Sequence, residues 1–76
     1  MSSVRRDPLV DEVVRDTIAA WPDLAEGTRM SRPKAWGALA AHGVTALRKR
    51  LGRTPSDDER RVLWAALWEA ASGGGS

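Results

Sequence analysis

Apolar side chains recur at helical spacing in three stretches of the chain. In the first stretch they stand three and four residues apart between Pro8 and Trp21, and charged side chains fill the opposite side. Asp7 is suited to cap this helix, Pro8 suits its first position, and Pro22 ends it. The pattern therefore predicts an amphipathic helix over residues 7–21.

The second stretch predicts a helix from residue 32 or 33 to residue 51, with Ser31 as its N-cap and Gly52 as its C-terminal stop. Gly43 lies near the middle of the apolar stripe of this helix. An interior glycine costs about 1 kcal/mol relative to alanine. We therefore expect another helix to approach closely at Gly43.

The third stretch predicts a helix from residue 55 or 56 to residue 71. Ser56 and Glu59 have the spacing of a capping box, in which each residue accepts a hydrogen bond from the other's backbone. The apolar positions of this helix cover about 240° of its circumference, far more than one core-facing stripe requires. They are Val62, Leu63, Trp64, Ala66, Leu67, Trp68, Ala70 and Ala71.

No segment shows the alternation of a strand, so the predicted fold is an all-α, three-helix bundle. The second and third helices form an αα-hairpin through the short turn 52–55. Residues 22–32 are expected to be a connection with at most one short turn at 22–25. Leu24 and Met30 are expected to pack from this connection into the core.

The length of 76 residues allows a single domain, predicted over residues 7–71. Residues 1–6 are expected to be a disordered N-terminal arm, and the Gly/Ser-rich residues 72–76 a flexible tail. The absence of cysteine excludes a disulfide scaffold, a zinc finger and a thiol enzyme. No apolar run is long enough to span a membrane. The composition favours a cytoplasmic protein of a GC-rich bacterium or phage.

The sequence offers little catalytic chemistry. His42 is the only histidine and falls opposite the apolar stripe of its helix, so we expect a solvated surface residue. Asp57, Asp58 and Glu59 are consecutive, so their side chains diverge by ~100° and complement the positive helix N-terminus rather than hold a metal. We therefore expect no enzyme, cofactor, metal or small-molecule substrate.

The broad apolar surface of the third helix indicates a protein interface. Leu63, Leu67 and Ala71 can face the core, which leaves apolar side chains on both flanks. The expected interface residues are Arg61, Val62, Trp64, Ala66 and Trp68. Tryptophan and arginine are enriched in binding hot spots, so the surface is expected to bind a second copy or another protein as an adaptor or inhibitor.

The opposing interpretation is that Trp64 and Trp68 fill a small core, as we expect for Trp21 and Trp36. A second indication of an interface is the outer face of the second helix, which is small and smooth. It carries Gly37, Ala38, Ala41 and Thr45.

Nucleic-acid binding is the alternative function. Residues 1–28 carry three arginines and six acids, whereas residues 29–76 carry nine Lys/Arg and four acids. The expected contacts to a nucleic-acid backbone come from the turn between the second and third helices, through Arg48, Lys49, Arg53 and Arg60. The acidic first turn of the third helix disfavours its use as a recognition helix, because it would face phosphates.

The nine residues Leu51–Glu59, LGRTPSDDE, resemble the "LGRxP[ST]xxE" stretch that enters a helix in the middle region of bacterial sigma factors. The resemblance consists mainly of a glycine stop, a turn proline and a capping box. We take no function from it.

Overall fold

A computed structural model of the chain describes residues 8–73, which form four α-helices and no strand. Helix α1 spans Pro8–Ala20, α2 spans Pro22–Arg29, α3 spans Ala35–Leu51 and α4 spans Asp57–Ala71. The all-α prediction is confirmed, but the three-helix bundle is wrong. None of these helices is long and apolar enough to cross a membrane.

Helix α1 follows its predicted amphipathic pattern. Val10, Val13 and Val14 are buried on one face, and Leu9 and Ile18 pack at the edges of the core. Asp7, predicted as the N-cap, lies outside the described residues, as do the predicted N-terminal arm 1–6 and residues 74–76 of the predicted tail. Ser72 ends α4, where its amide donates to the carbonyl of Trp68.

Helix α2 replaces most of the predicted connection. Pro22 occupies its first turn, where a missing N–H costs nothing, and Asp23 and Arg29 complement the helix dipole at the two ends. The helix buries Ala25 and Thr28 against the rest of the molecule. Residues 22–29 are helical because helix propensity and burial against the rest of the molecule act together. The prediction of a connection had considered only the length of the segment.

The expected packing of Leu24 and Met30 is half right. Leu24 is partly buried against the core. Met30 is 57% exposed. It is the C-cap of α2 and lies beyond Thr28, the last buried residue of that helix.

The corner between α2 and α3 is a Schellman motif. The amide of Ser31 donates to the carbonyl of Thr28 at 3.1 Å, and the amide of Arg32 donates to the carbonyl of Gly27 at 2.8 Å. Ser31 has a φ of +58°, the left-handed conformation that this motif requires after a helix. Ser31 therefore ends α2, and the prediction that it caps the next helix is wrong.

Helix α3 begins later than predicted, at Ala35. A residue that precedes proline is disfavoured in the α conformation, so Pro33 prevents Arg32 from starting the helix. Lys34 is the N-cap residue, with a φ of +69°. The helix ends as predicted at Gly52, which has a φ of +74° and donates its amide to the carbonyl of Arg48 at 2.9 Å.

Helix α4 begins with the predicted capping box. The hydroxyl of Ser56 accepts the amide of Glu59 at 3.1 Å, and the carboxylate of Glu59 accepts the amide of Ser56 at 2.8 Å. Helices α3 and α4 pack together around Gly43. A Cβ added there would lie 3.0 Å from Cδ2 of Leu67, so the expected close helix approach is present.

The core lies between all four helices. Its largest fully buried side chains come from α1, α3 and α4: Val13, Leu39, Leu47, Leu63 and Leu67. A buried polar side chain of the core forms its hydrogen bond within its own helix: the hydroxyl of Thr17 donates to the carbonyl of Val13 at 2.7 Å. This core buries one side of α4 and leaves Val62, Trp64 and Trp68 at the surface.

Candidate protein-interaction surface

Helix α4 turns its leucines to the core and its tryptophans to solvent. Leu63 and Leu67 are completely buried and Ala71 is 5% exposed, which confirms the three residues expected to face the core. Trp64 and Trp68 are 36% and 49% exposed. Neither indole belongs to the buried core cluster, so the interpretation of both as core residues does not fit this structure.

Each exposed indole is held on one side by α3. The ring of Trp68 meets the ring of Trp36 edge to face, with centroids 5.3 Å apart and planes at 85°. Nε1 of Trp64 donates a long hydrogen bond of 3.4 Å to the carbonyl oxygen of Ala40. We call Trp36, Trp64 and Trp68 the tryptophan flank.

Trp36 sits at the boundary between core and surface. It was expected to be a core residue but is only partly buried, packed against the core and in contact with Trp68. A signal for this contact was present in the sequence. Trp36 lies as far before Gly52 as Trp68 lies after it, so an antiparallel hairpin that turns at Gly52 brings the two residues together.

Two of the other predicted interface residues, Val62 and Ala66, do not join the tryptophan flank. Ala66 is 3% exposed and belongs to the core. Val62 is 46% exposed but lies roughly 160° around α4 from Trp64, since successive residues turn by ~100°. It lines a separate cleft of about 220 Å³ between α1, α3 and α4, together with Leu9 and Leu51.

Arg61 borders the tryptophan flank on α4. Its side chain is 79% exposed, and its guanidinium lies 3.8 Å from the carboxylate of Asp58. An exposed pair at this distance contributes little, so Arg61 remains available to a partner.

Trp21 and His42 form a contact that the sequence did not predict. Their rings are stacked with centroids 3.8 Å apart and an interplanar angle of 10°. Trp21 is 43% exposed rather than part of the core, because it lies between α1 and α2, where its backbone joins both helices. His42 is correspondingly half-buried and not the fully solvated residue expected.

The basic residues near the turn between α3 and α4 divide into two groups. Arg53 holds both carboxylate oxygens of Glu59, at 2.9 and 2.7 Å, and Arg60 forms an ion pair with Asp57. Arg48 and Lys49 are exposed and have no carboxylate partner within residues 8–73. The four predicted nucleic-acid contacts are therefore not equivalent.

The Arg53–Glu59 pair also sets the electrostatics of the start of α4. The guanidinium of Arg53, followed by the backbone amide of Ser56, lowers the pKa of Glu59 from 4.5 to about 2. The same contact raises the pKa of Arg53. Both groups stay charged near neutral pH and form an ion pair with each other. This pair holds the start of α4 to the preceding turn.

Arg50 joins the last turn of α3 to α1. Its guanidinium donates to the carboxylate of Glu12 at 2.6 Å and to that of Asp16 at 2.8 Å. The hydrogen bond that Arg50 donates to Glu12 is the main cause of the raised pKa of Arg50. Both terminal nitrogens of Arg50 thus already bind carboxylates of α1.

The chain matches no protein-family model, no curated protein and no solved structure. Its function is therefore inferred from its own surface.

The part of α3 beside the tryptophan flank is smooth. Gly37 is exposed, and a Cβ added there would meet nothing within 4 Å. Val44 is partly buried two turns further along the helix. Two protruding indoles on α4 thus stand next to a shallow apolar strip on α3.

Proposed function

We propose that this chain is a non-catalytic protein-interaction module that forms a homodimer through the tryptophan flank. The observation that carries the proposal is the state of Trp64 and Trp68. Each indole is fixed against α3 on one side and exposed on the other, at 36% and 49%. Rigid, half-exposed tryptophans are typical anchors of binding surfaces, because little conformational entropy is lost when they bind.

A second copy is the partner that the shape of this surface favours. The protruding indoles of Trp64 and Trp68 lie beside the smooth strip at Gly37 and Val44. In a two-fold symmetric pair the same patch faces itself, so the indoles of one copy can cover the strip of the other. The surface therefore carries both halves of a self-complementary contact.

The exposed area sets the expected affinity. A tryptophan buries about 150–250 Å² when covered, so each indole has on the order of 100 Å² left to bury. At ~25 cal/mol per Å², four indoles in a symmetric pair supply roughly 10 kcal/mol. Association costs an estimated 4–15 kcal/mol, so we expect a dimer of micromolar or weaker affinity.

Molar mass by light scattering across a range of micromolar to submillimolar concentrations tests the proposal. The wild-type chain should approach twice the monomer mass as concentration rises, and the dimer should persist at high salt because apolar burial dominates. Gly37→Gln should keep the protein monomeric. It places a long side chain in open space on an exposed helix position, so it should not unfold the monomer.

Val62→Gln is the matched control, because Val62 is as exposed as Trp68 but lies on the other flank. It should leave the dimer unchanged. The double variant Trp64→Ala/Trp68→Ala should also be monomeric while circular dichroism shows its helices intact. A wild-type chain that is monomeric throughout this range would overturn the homodimer, and a dimer lost in Val62→Gln alone would move the interface to the cleft beside α1.

A further inference from the structure

The outer face of α3 lies within a long segment that carries no acidic residue. Between Glu26 and Asp57 every charged side chain is basic. These side chains are Arg29, Arg32, Lys34, Arg48, Lys49, Arg50 and Arg53. Such an uninterrupted run of one sign produces a local positive field although the net charge of the chain is only +2.

The basic residues of this segment fall into two groups, those that form ion pairs within the protein and those that do not. Arg50 binds the carboxylates of α1, and Arg53 binds Glu59. The other five are exposed and have no carboxylate partner within the described part of the chain. They lie at the two ends of α3: Arg29, Arg32 and Lys34 before it, Arg48 and Lys49 in its last turn.

The surface between the two cationic ends is flat and uncharged. Ala38, Ala41, Thr45 and Lys49 lie on the same side of α3, within about 80° of arc at ~100° per residue. Lys34 is the N-cap residue at the start of the helix. Ala41 and Thr45 are exposed, and the hydroxyl of Thr45 is turned back to the carbonyl of Ala41 at 3.1 Å. Small side chains here leave the helix backbone open to close approach.

The spacing of the cations suits a duplex nucleic acid. With a rise of 1.5 Å per residue, Lys34 and Lys49 lie about 22 Å apart along α3. The major groove of B-DNA is ~12 Å wide and admits a helix, with phosphates on both sides of it. A helix of this kind can contact phosphates at both ends while its small middle section lies toward the groove.

Two other anionic partners fit this face less well. A helix that binds a membrane surface needs large apolar side chains to insert, and the outer face of α3 carries only the small side chains of Ala38, Ala41 and Thr45 beside Gly37. A single strand is bound mainly by stacking on aromatic rings. Trp21 is the indole nearest this face, and one side of its ring is already covered by the ring of His42.

We propose that the outer face of α3, with Lys34, Arg48 and Lys49 as phosphate contacts, binds the backbone of duplex DNA without strong sequence preference. The site differs from the four residues predicted from sequence, because Arg53 and Arg60 are already held by Glu59 and Asp57. Three phosphate contacts give an expected slope of roughly −3 for the logarithm of affinity against the logarithm of salt concentration. Binding is thus weak and strongly dependent on salt.

The test is the fluorescence anisotropy of a labelled random-sequence duplex of about 20 base pairs, titrated with protein at several salt concentrations. Ala41→Glu places a carboxylate in the middle of the outer face of α3 and should weaken binding at least tenfold. Ala19→Glu makes the same change in net charge at an exposed alanine of α1, and it should change binding less than about twofold.

A second pair of variants tests the phosphate contacts themselves. Lys34→Ala/Lys49→Ala should reduce the salt slope by about 2, since each lost phosphate contact removes about 1. Arg15→Ala/Arg60→Ala lowers the net charge equally and should leave the slope unchanged.

Three results would overturn this assignment. Equal weakening in the face and control variants would show that only net charge matters. Tighter binding to vesicles of anionic phospholipid than to the duplex would make the face a membrane surface. Tighter binding to a single strand of the same length, lost in Trp64→Ala/Trp68→Ala, would transfer nucleic-acid binding to the tryptophan flank.

Discussion

Gly43 of α3 and Leu67 of α4 are in such close contact that a methyl group on Gly43 would lie 3.0 Å from Cδ2 of Leu67. Leu67 is completely buried, and Leu63 lies on the other side of the same site with Cδ2 at 3.5 Å. The two leucines have little room to move. The glycine therefore sets the distance between α3 and α4, and with it the position of the tryptophan flank.

Substitution of Gly43 should reveal this contact. Gly43→Ala gains about 1 kcal/mol of helix propensity but overpacks the core, which costs about 1–3 kcal/mol. Gly37→Ala is the control, because it gains the same propensity at an exposed position where a Cβ meets nothing within 4 Å. In urea unfolding at concentrations where the protein is monomeric, Gly37→Ala should be more stable than Gly43→Ala by at least about 1 kcal/mol. Equal stability of the two variants would show that the helices are not in tight contact.

The left-handed residue at the end of α2 offers a route to greater stability. Ser31 has a φ of +58°, a conformation that costs a non-glycine residue about 1 kcal/mol. Ser31→Gly should therefore raise the free energy of unfolding by up to about 1 kcal/mol in urea or thermal melts. A loss of stability in this variant would show that Ser31 is not held in the left-handed conformation.

At the end of α3 the left-handed position is occupied by a glycine, Gly52, so the expected effect of substitution is the opposite. Its φ is +74° and a Cβ there would meet nothing within 4 Å, so the cost of a side chain is confined to the backbone. Gly52→Ala should lower the free energy of unfolding by about 1 kcal/mol. The two substitutions should thus have opposite signs.

The capping box of α4 should make stability depend on pH. The contacts of Glu59 with Arg53 and the amide of Ser56 depress its folded pKa to about 2, below the usual value of 4.5. The ionised carboxylate therefore stabilises the folded state above about pH 4.5, and this contribution is lost as pH falls toward 2. Glu59→Gln should be less stable than the wild type near neutral pH, and the difference should shrink in acid.

Urea unfolding of both proteins at several pH values measures this difference. Glu26→Gln is the control for the loss of one negative charge, since the carboxylate of Glu26 makes no ion pair within residues 8–73. A stability difference between Glu59→Gln and the wild type that stays constant down to pH 2 would contradict a role for the ionised carboxylate.

Much of the helical framework was encoded locally. The spacing of valines in α1 and the capping box of Ser56 and Glu59 each depend on a few neighbouring residues, so they could be predicted from the sequence. The stop at Gly52 was predicted for the same reason, since glycine alone adopts the left-handed conformation without strain. The corner after α2 was missed because a serine takes that conformation there, held by its hydrogen bonds to Thr28 and Gly27.

The sequence by itself determined that the chain is helical, where three of its helices lie, and that α4 carries more apolar surface than one core contact needs. Only the tertiary structure decided which part of that surface stays exposed. Helices α1, α2 and α3 pack against α4 and bury Leu63, Ala66 and Leu67. Trp64 and Trp68 are supported by α3 on one side only. The physical reason is that the helical period places residues around one axis, whereas exposure depends on how the other helices pack against that axis.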